Sequence, residues 1–236
     1  MKSERISLLK RGKQLVDRYI PEYAQLPLLL SMLWNGLAYY GSNLIAYSWL
    51  HHLMNIPADD VIPLLPWTAS VYLVCFLFWV VNYILCARQS REQVFRFFSA
   101  DFLSKMICLA IFVIYPTMAA RPEIEGTGFW DHVVRFIYQM DAPVNLFPSM
   151  HCLSSWFCYL GIRKDTRIPR WYRLFSGLFA VAVFVSTLTT KQHVIVDVIA
   201  GAGLASLTYF IVQPIGFARK YMQAFDWLYA HSKKIF

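Results

Sequence analysis

The chain has 236 residues, of which 58% are hydrophobic, 17% aromatic and 15% charged, with a formal net charge of +8. A soluble globular domain is about 45–50% apolar and about 25% charged, so this composition excludes a disordered chain, a coiled coil and nearly every small soluble enzyme. The expectation is an all-α polytopic membrane protein, a six-transmembrane-helix bundle in a single membrane domain over 1–236.

About 20 apolar residues, at about 1.5 Å each, cross a hydrocarbon core about 30 Å thick. The first 25 residues mix Lys2, Arg5, Lys10, Arg11, Lys13 and Arg18 with Ile6, Leu8, Leu9 and Leu15. They read as a cytoplasmic amphipathic segment, and their charges and Pro21 argue against a cleavable signal peptide. Spans follow near 26–50, 68–87, 102–120, 148–162, 173–190 and 193–213, making a core of 26–213, and 214–236 is a cytoplasmic tail. Lys105 falls near the start of the third span, where a long side chain snorkels to the headgroups. His51, His52, Asp59 and Asp60 fall in the first outer loop and read as solvated. The five cysteines all lie in apolar stretches, which favours neither disulfide nor zinc.

The remaining basic residues sort by side. Arg88, Arg91 and Arg96 follow span two; Arg163, Lys164, Arg167, Arg170 and Arg173 follow span four; Arg219, Lys220, Lys233 and Lys234 are in the tail. The opposite side holds only Arg121, Arg135 and Lys191. By the positive-inside rule both termini are cytoplasmic. The charge is a topology signal, and no nucleic-acid partner is implied.

Three polar clusters lie on the side poor in Lys and Arg. They are Arg121-Pro122 after span three, Pro148-Ser149-Met150-His151 at the start of span four, and the turn from Ser186 through Lys191 and His193 to Asp197. An acidic group inside a span is costly unless paired, and such groups default to function. His193 and Asp197 are spaced i and i+4, so a helix would put them on one face. The carboxylate would then fix the imidazole tautomer and leave the other nitrogen free to attack. His151 arrives at a helix N-terminus, where unpaired N–H groups favour an anion, and Arg121 and Lys191 add positive charge. Two histidines, a carboxylate and two cations suit phosphoryl transfer through a phosphohistidine.

Arg-Pro, then Pro-Ser-x-His, then Ser-…-His-x-x-x-Asp, in that order on a six-helix chain, resembles the type-2 phosphatidic acid phosphatase superfamily. The resemblance covers about 105–213. It implies a metal-independent enzyme without cofactor, acting on a lipid phosphate or pyrophosphate in the bilayer. By motif, His193 is the nucleophile, Asp197 its orienter, His151 the general acid, and Arg121 and Ser149 are phosphate ligands. Two positions depart from the pattern: Ile114 stands where a Lys is usual, and Thr187 where an Arg is usual. Lys191 is the candidate replacement. The Thr-Lys-x-His pattern looks closer to the branch related to inositol-phosphorylceramide synthase, so hydrolysis and head-group transfer both stay open. A transporter or a non-catalytic homologue is the alternative from another class. The expected location is the plasma membrane with an outward site (lumenal in a eukaryote). Span four offers about 22 Å of helix against about 30 Å of hydrocarbon, so the site is expected about 8 Å below the outer boundary, open sideways to lipid.

Overall fold

The structure is a computed structural model that describes residues 16–46 and 48–232. The basic stretch before residue 16, with Lys233 and Lys234, lies outside the described residues. Helices account for almost all of the regular structure: α1 (Glu22–Gly36), α2 (Ser42–Ala46), α3 (Pro57–Asp60), α4 (Ala69–Ala87), α5 (Arg91–Ile114), α6 (Phe129–Met140), α7 (Met150–Ile162), α8 (Arg170–Thr189), α9 (Ile195–Ile211) and α10 (Phe217–Ser232). A π-helical turn, Leu37–Gly41, joins α1 to α2. Among the described residues the sheet is minimal, with β1 (His52–Leu53) pairing in parallel with β2 (Thr117–Met118). Met118 also bridges Val144, so three connecting segments are stitched together.

Pro66–Ala87, Arg91–Ile114 and Arg170–Thr189 are long and apolar enough to cross a membrane, and Ile195–Ile211 is apolar but shorter. The long helices turn large apolar side chains outward, Leu77 being 64% and Leu178 73% exposed. Polar groups are turned inward: Asn82, Asp101, Ser104, Lys105, Ser154, Ser155 and Ser176 are buried. That distribution is the reverse of a soluble bundle and suits a lipid solvent.

Helix α7 is central and packs against α4, α8 and α9, while α5 packs against α1, α9 and α10. Phe95, Phe97, Phe98 and Phe157 fill the middle of the core. The tail helix α10 covers α5, with Tyr221 and Phe225 on Phe95 at ring separations of 6.3 and 5.9 Å. Asp226 pairs with Arg91.

The third apolar segment begins earlier than its composition suggests. Helix α5 starts at Arg91, behind Ser90, and ends at Ile114. Arg91 and Arg96 are therefore helical, and Arg96 lies over the ring of Tyr209 at 4.5 Å. Lys105 does not snorkel. It is buried in mid-helix and paired with Asp101 at 2.9 Å, one turn earlier.

Candidate active site

The start of α7 is set by Ser149. Its backbone is extended, and its hydroxyl accepts from Cys152 N at 3.2 Å, which satisfies one of the free amides of the first turn. His151 follows on that turn. Its ring stacks on Tyr72 at 4.7 Å and meets Trp79 at 5.5 Å and Phe76 at 5.9 Å.

The second histidine is delivered by a turn. Helix α8 ends at Thr189, and the carbonyl of Thr187 accepts from Gln192 N (2.9 Å) and His193 N (3.1 Å). Lys191 takes the left-handed conformation that this reversal needs, with φ of 55°. Helix α9 begins only at Ile195, so His193 and Asp197 do not share a helical face as the spacing suggested. They meet because Asp197 folds back over the helix start. Its Oδ2 accepts from Val194 N at 3.1 Å and lies 3.3 Å from His193 Nδ1. The two histidine rings stand 5.6 Å apart.

Close backbone contact holds the two turns together. Ser149 N donates to the carbonyl of Asp197 at 3.1 Å. Gly201 lies over the same point, where a Cβ would collide with the carbonyl oxygen of Ser149.

Arg121 follows β2 and reaches toward the histidine turn. Nη1 donates to the carbonyl of Asp141 (2.5 Å), Nη2 donates to Gln192 Oε1 (2.7 Å), and the guanidinium lies 4.7 Å from the centre of the Tyr138 ring. Burial lowers its pKa from the ordinary arginine value, with the Asp141 carboxylate opposing. Tyr138 donates to the carbonyl of Thr190 at 3.0 Å, and burial pushes its pKa up to about 12. Asp141, next along, accepts from Tyr39 and from Tyr72 (3.2 Å).

Lys191 Nζ donates to the carbonyls of Asp59 (2.9 Å) and Ile62 (2.6 Å). Asp59 is not a solvated loop acid. It is 4% exposed, and its carboxylate accepts from Ile56 N (2.8 Å) and from Ile195 N (2.9 Å), capping α9 from a distant loop. His52, by contrast, stays exposed, with its ring stacked on Tyr115 at 4.1 Å.

Two cavities meet at His193. An outer one of about 540 Å³ is lined by Asp59, Asp60, Arg121, Lys191 and His193. The other, about 310 Å³, is aromatic, with Tyr39, Tyr72, Phe76 and Trp79 around His151, His193 and Asp141. Among the described residues, Arg121 Nε, Gln192 Nε2 and Asp197 Oδ1 are buried without a partner. Two of these three are donors, on side chains bonded to each other, and unpaired buried donors suit an anion.

His151, His193, Arg121 and Lys191 thus line one pair of cavities, and Asp197, fully buried, is joined to them through His193. Ser149 lines neither cavity and sits beneath, as the cap. Ile114 is 80% exposed and Thr187 is buried, so neither supplies the charge that the motif usually has there. The sequence left Gln192, Tyr39 and Tyr72 unassigned and pointed to a solvated role for Asp59. Each acts through a contact with a residue remote in sequence, and only the placement of Gln192 between Lys191 and His193 was a local signal. No curated protein matches the chain. A family model for the PAP2 superfamily, whose members are phosphatases or phosphotransferases, matches residues 45–211, and the chain belongs to that superfamily.

Proposed function

We propose that the chain is an integral membrane phosphatase that hydrolyses a lipid phosphate or pyrophosphate through a phosphohistidine on His193. The reading includes six spans, cytoplasmic termini and a site on the extracytoplasmic side. The observation that carries it is the position of His193. It is hydrogen-bonded to Asp197 and stands between a polar outer cavity with Arg121 and Lys191 and an aromatic one with His151.

In the first half-reaction Asp197 holds the Nδ1 proton, and His193 Nε2 attacks phosphorus. The bond from phosphorus to the lipid oxygen breaks as the N–P bond forms, and His151 gives that oxygen its proton. In the second, His151 takes a proton from water, whose oxygen bonds to phosphorus as the N–P bond breaks. Inorganic phosphate leaves and His193 is restored. Arg121 and Gln192 present donors to the phosphoryl oxygens, and Lys191 adds charge. Ser149, buried beneath the cavities, caps α7 and so fixes where His151 stands. A lipid reaches the aromatic cavity from the side, past the exposed Leu73 and Phe76 of α4 that line it, without leaving the bilayer.

The test is a panel of phosphatidate, polyprenyl pyrophosphate and other phospholipids given to the purified protein in excess EDTA. Release of inorganic phosphate is expected, because Arg121 and Lys191 supply the charge. A new phospholipid without phosphate release would assign transfer instead. A strict divalent-metal requirement would contradict the mechanism.

A further inference from the structure

The aromatic cavity continues past the histidines. A neighbouring cavity of about 240 Å³ shares Asn35, Phe76 and Trp79 with it and is further lined by Ser31, Lys105 and Ser154. Ser154 stands three residues after His151 on α7, about 4.5 Å further along the helix axis. The two cavities therefore adjoin as one groove, which extends from the histidines to the buried Lys105 and opens outward at Met32 and Val80, both exposed.

A groove for a hydrocarbon chain has no need of an amino group in its wall. Lys105 is 1% exposed, and among the described residues its Nζ makes one hydrogen bond, to Asp101 Oδ2 at 2.9 Å. The ring of Tyr83 lies 5.5 Å from Nζ. Asp101 is better satisfied: Oδ2 also accepts from Ser31 Oγ and Oδ1 from Tyr83 Oη, both at 2.6 Å. An ion pair that merely held helices together would account for Asp101. It would leave two of the three ammonium donors of Lys105 without an acceptor, in a residue that lines the cavity. Buried donors without acceptors are costly, so an acceptor in the groove would be favoured.

We propose that this cavity is the subsite for the carbonyl-bearing part of the substrate lipid, with an ester or amide C=O accepting from Lys105 Nζ and Ser154 lining the same pocket. The assignment rests on the proposed function, which puts the phosphate at His193. In a diacylglycerol- or ceramide-type phosphate the carbonyl lies a few bonds from phosphorus, which suits a subsite one helical turn beyond His151. A polyprenyl chain has no acceptor at that depth and would leave Lys105 unsatisfied. The substrate class is therefore an acylated lipid phosphate.

The test compares dioctanoyl phosphatidate with its dioctyl ether analogue, which lacks only the two carbonyls. Binding is titrated by thermal shift in detergent, in a His193→Ala background that consumes neither lipid. The ester should bind about tenfold more tightly, the scale of one charge-assisted hydrogen bond. Lys105→Met in that background should equalise the two. Should that change unfold the protein by stranding Asp101, Lys105→Met with Asp101→Asn removes both charges and should equalise them as well. Equal affinities with Lys105 in place, a preference that survives its replacement, or no binding of either lipid would overturn the subsite. Phosphate release by the unaltered chain from the same lipids reports separately on the proposed function. Release without an ester preference would remove only the subsite; a preference without release would remove only the hydrolase reading.

Discussion

The backbone N–H of Ser149 donates to the carbonyl of Asp197 at 3.1 Å, joining the start of α7, which carries His151, to the start of α9, which follows His193. The separation of His151 and His193, 5.6 Å between ring centres, is thereby tied to backbone rather than to flexible side chains. A site for group transfer needs its reacting groups held in place in this way.

Gly201 makes that approach possible, because a Cβ there meets a carbonyl oxygen that cannot swing aside. Gly201→Ala should destabilise the protein by about 1–3 kcal/mol and lower turnover, as the two helices are pushed apart. Gly203→Ala is the control. Nothing lies within 4 Å of a Cβ at that position, and alanine suits a helix better than glycine. Thermal unfolding in detergent compares the two, and equal effects would contradict the account.

Asp59 caps α9 from 136 residues away, through Ile195 N at 2.9 Å. Asp59→Ala should cost about 0.5–2 kcal/mol, the range for a lost helix cap. It should also weaken phosphate release, because Lys191 is held by the same loop. A variant with unchanged melting and unchanged release would show that the loop merely covers the site.

We propose that Lys191 stands in for the Lys and Arg absent at positions 114 and 187. Lys191→Met should lower kcat/KM by about 10²-fold, as for loss of one transition-state donor. Its carbonyl contacts make a purely structural loss the competing explanation. Thr187→Arg in the same background separates the two, since restored charge should recover activity and a loop anchor should not. Full activity of Lys191→Met would assign the charge to Arg121 alone.

The side of the membrane on which the site opens can be mapped by thiol labelling, because the five native cysteines are buried. Glu125 and Lys164 are exposed, in connections expected on opposite sides. In intact cells, Glu125→Cys should react with a membrane-impermeant maleimide and Lys164→Cys should not. The reverse pattern would invert the topology and put the histidines on the cytoplasmic side.

The helical order and the gathering of Arg121, His151, His193 and Asp197 were legible in the sequence, because their motifs are local and stand out against apolar surroundings. Two readings failed for a common physical reason. The apolar run near 102 does not mark the start of α5, since Arg91, Glu92 and Arg96 belong to the helix, and that displacement puts Lys105 in the interior. Asp59 looks like a solvated loop acid until the chain folds, because its partner at Ile195 is distant in sequence. Composition reports the solvent that a segment prefers; it does not report which long-range partner makes a charge tolerable. The i, i+4 spacing of His193 and Asp197 did identify a bonded pair, although a turn rather than a helix brings the two together.

The central claim is that His193 carries the phosphoryl group. The direct measurement is an alkaline, denaturing quench of the purified protein during turnover of a phosphatidate carrying radiolabelled phosphate, followed by mapping of the protein-bound label at alkaline pH. The account predicts a phosphoenzyme stable in alkali and labile in acid, with the label on His193 and absent from folded His193→Ala. Label that persists in that variant, or normal turnover by it, would contradict the account.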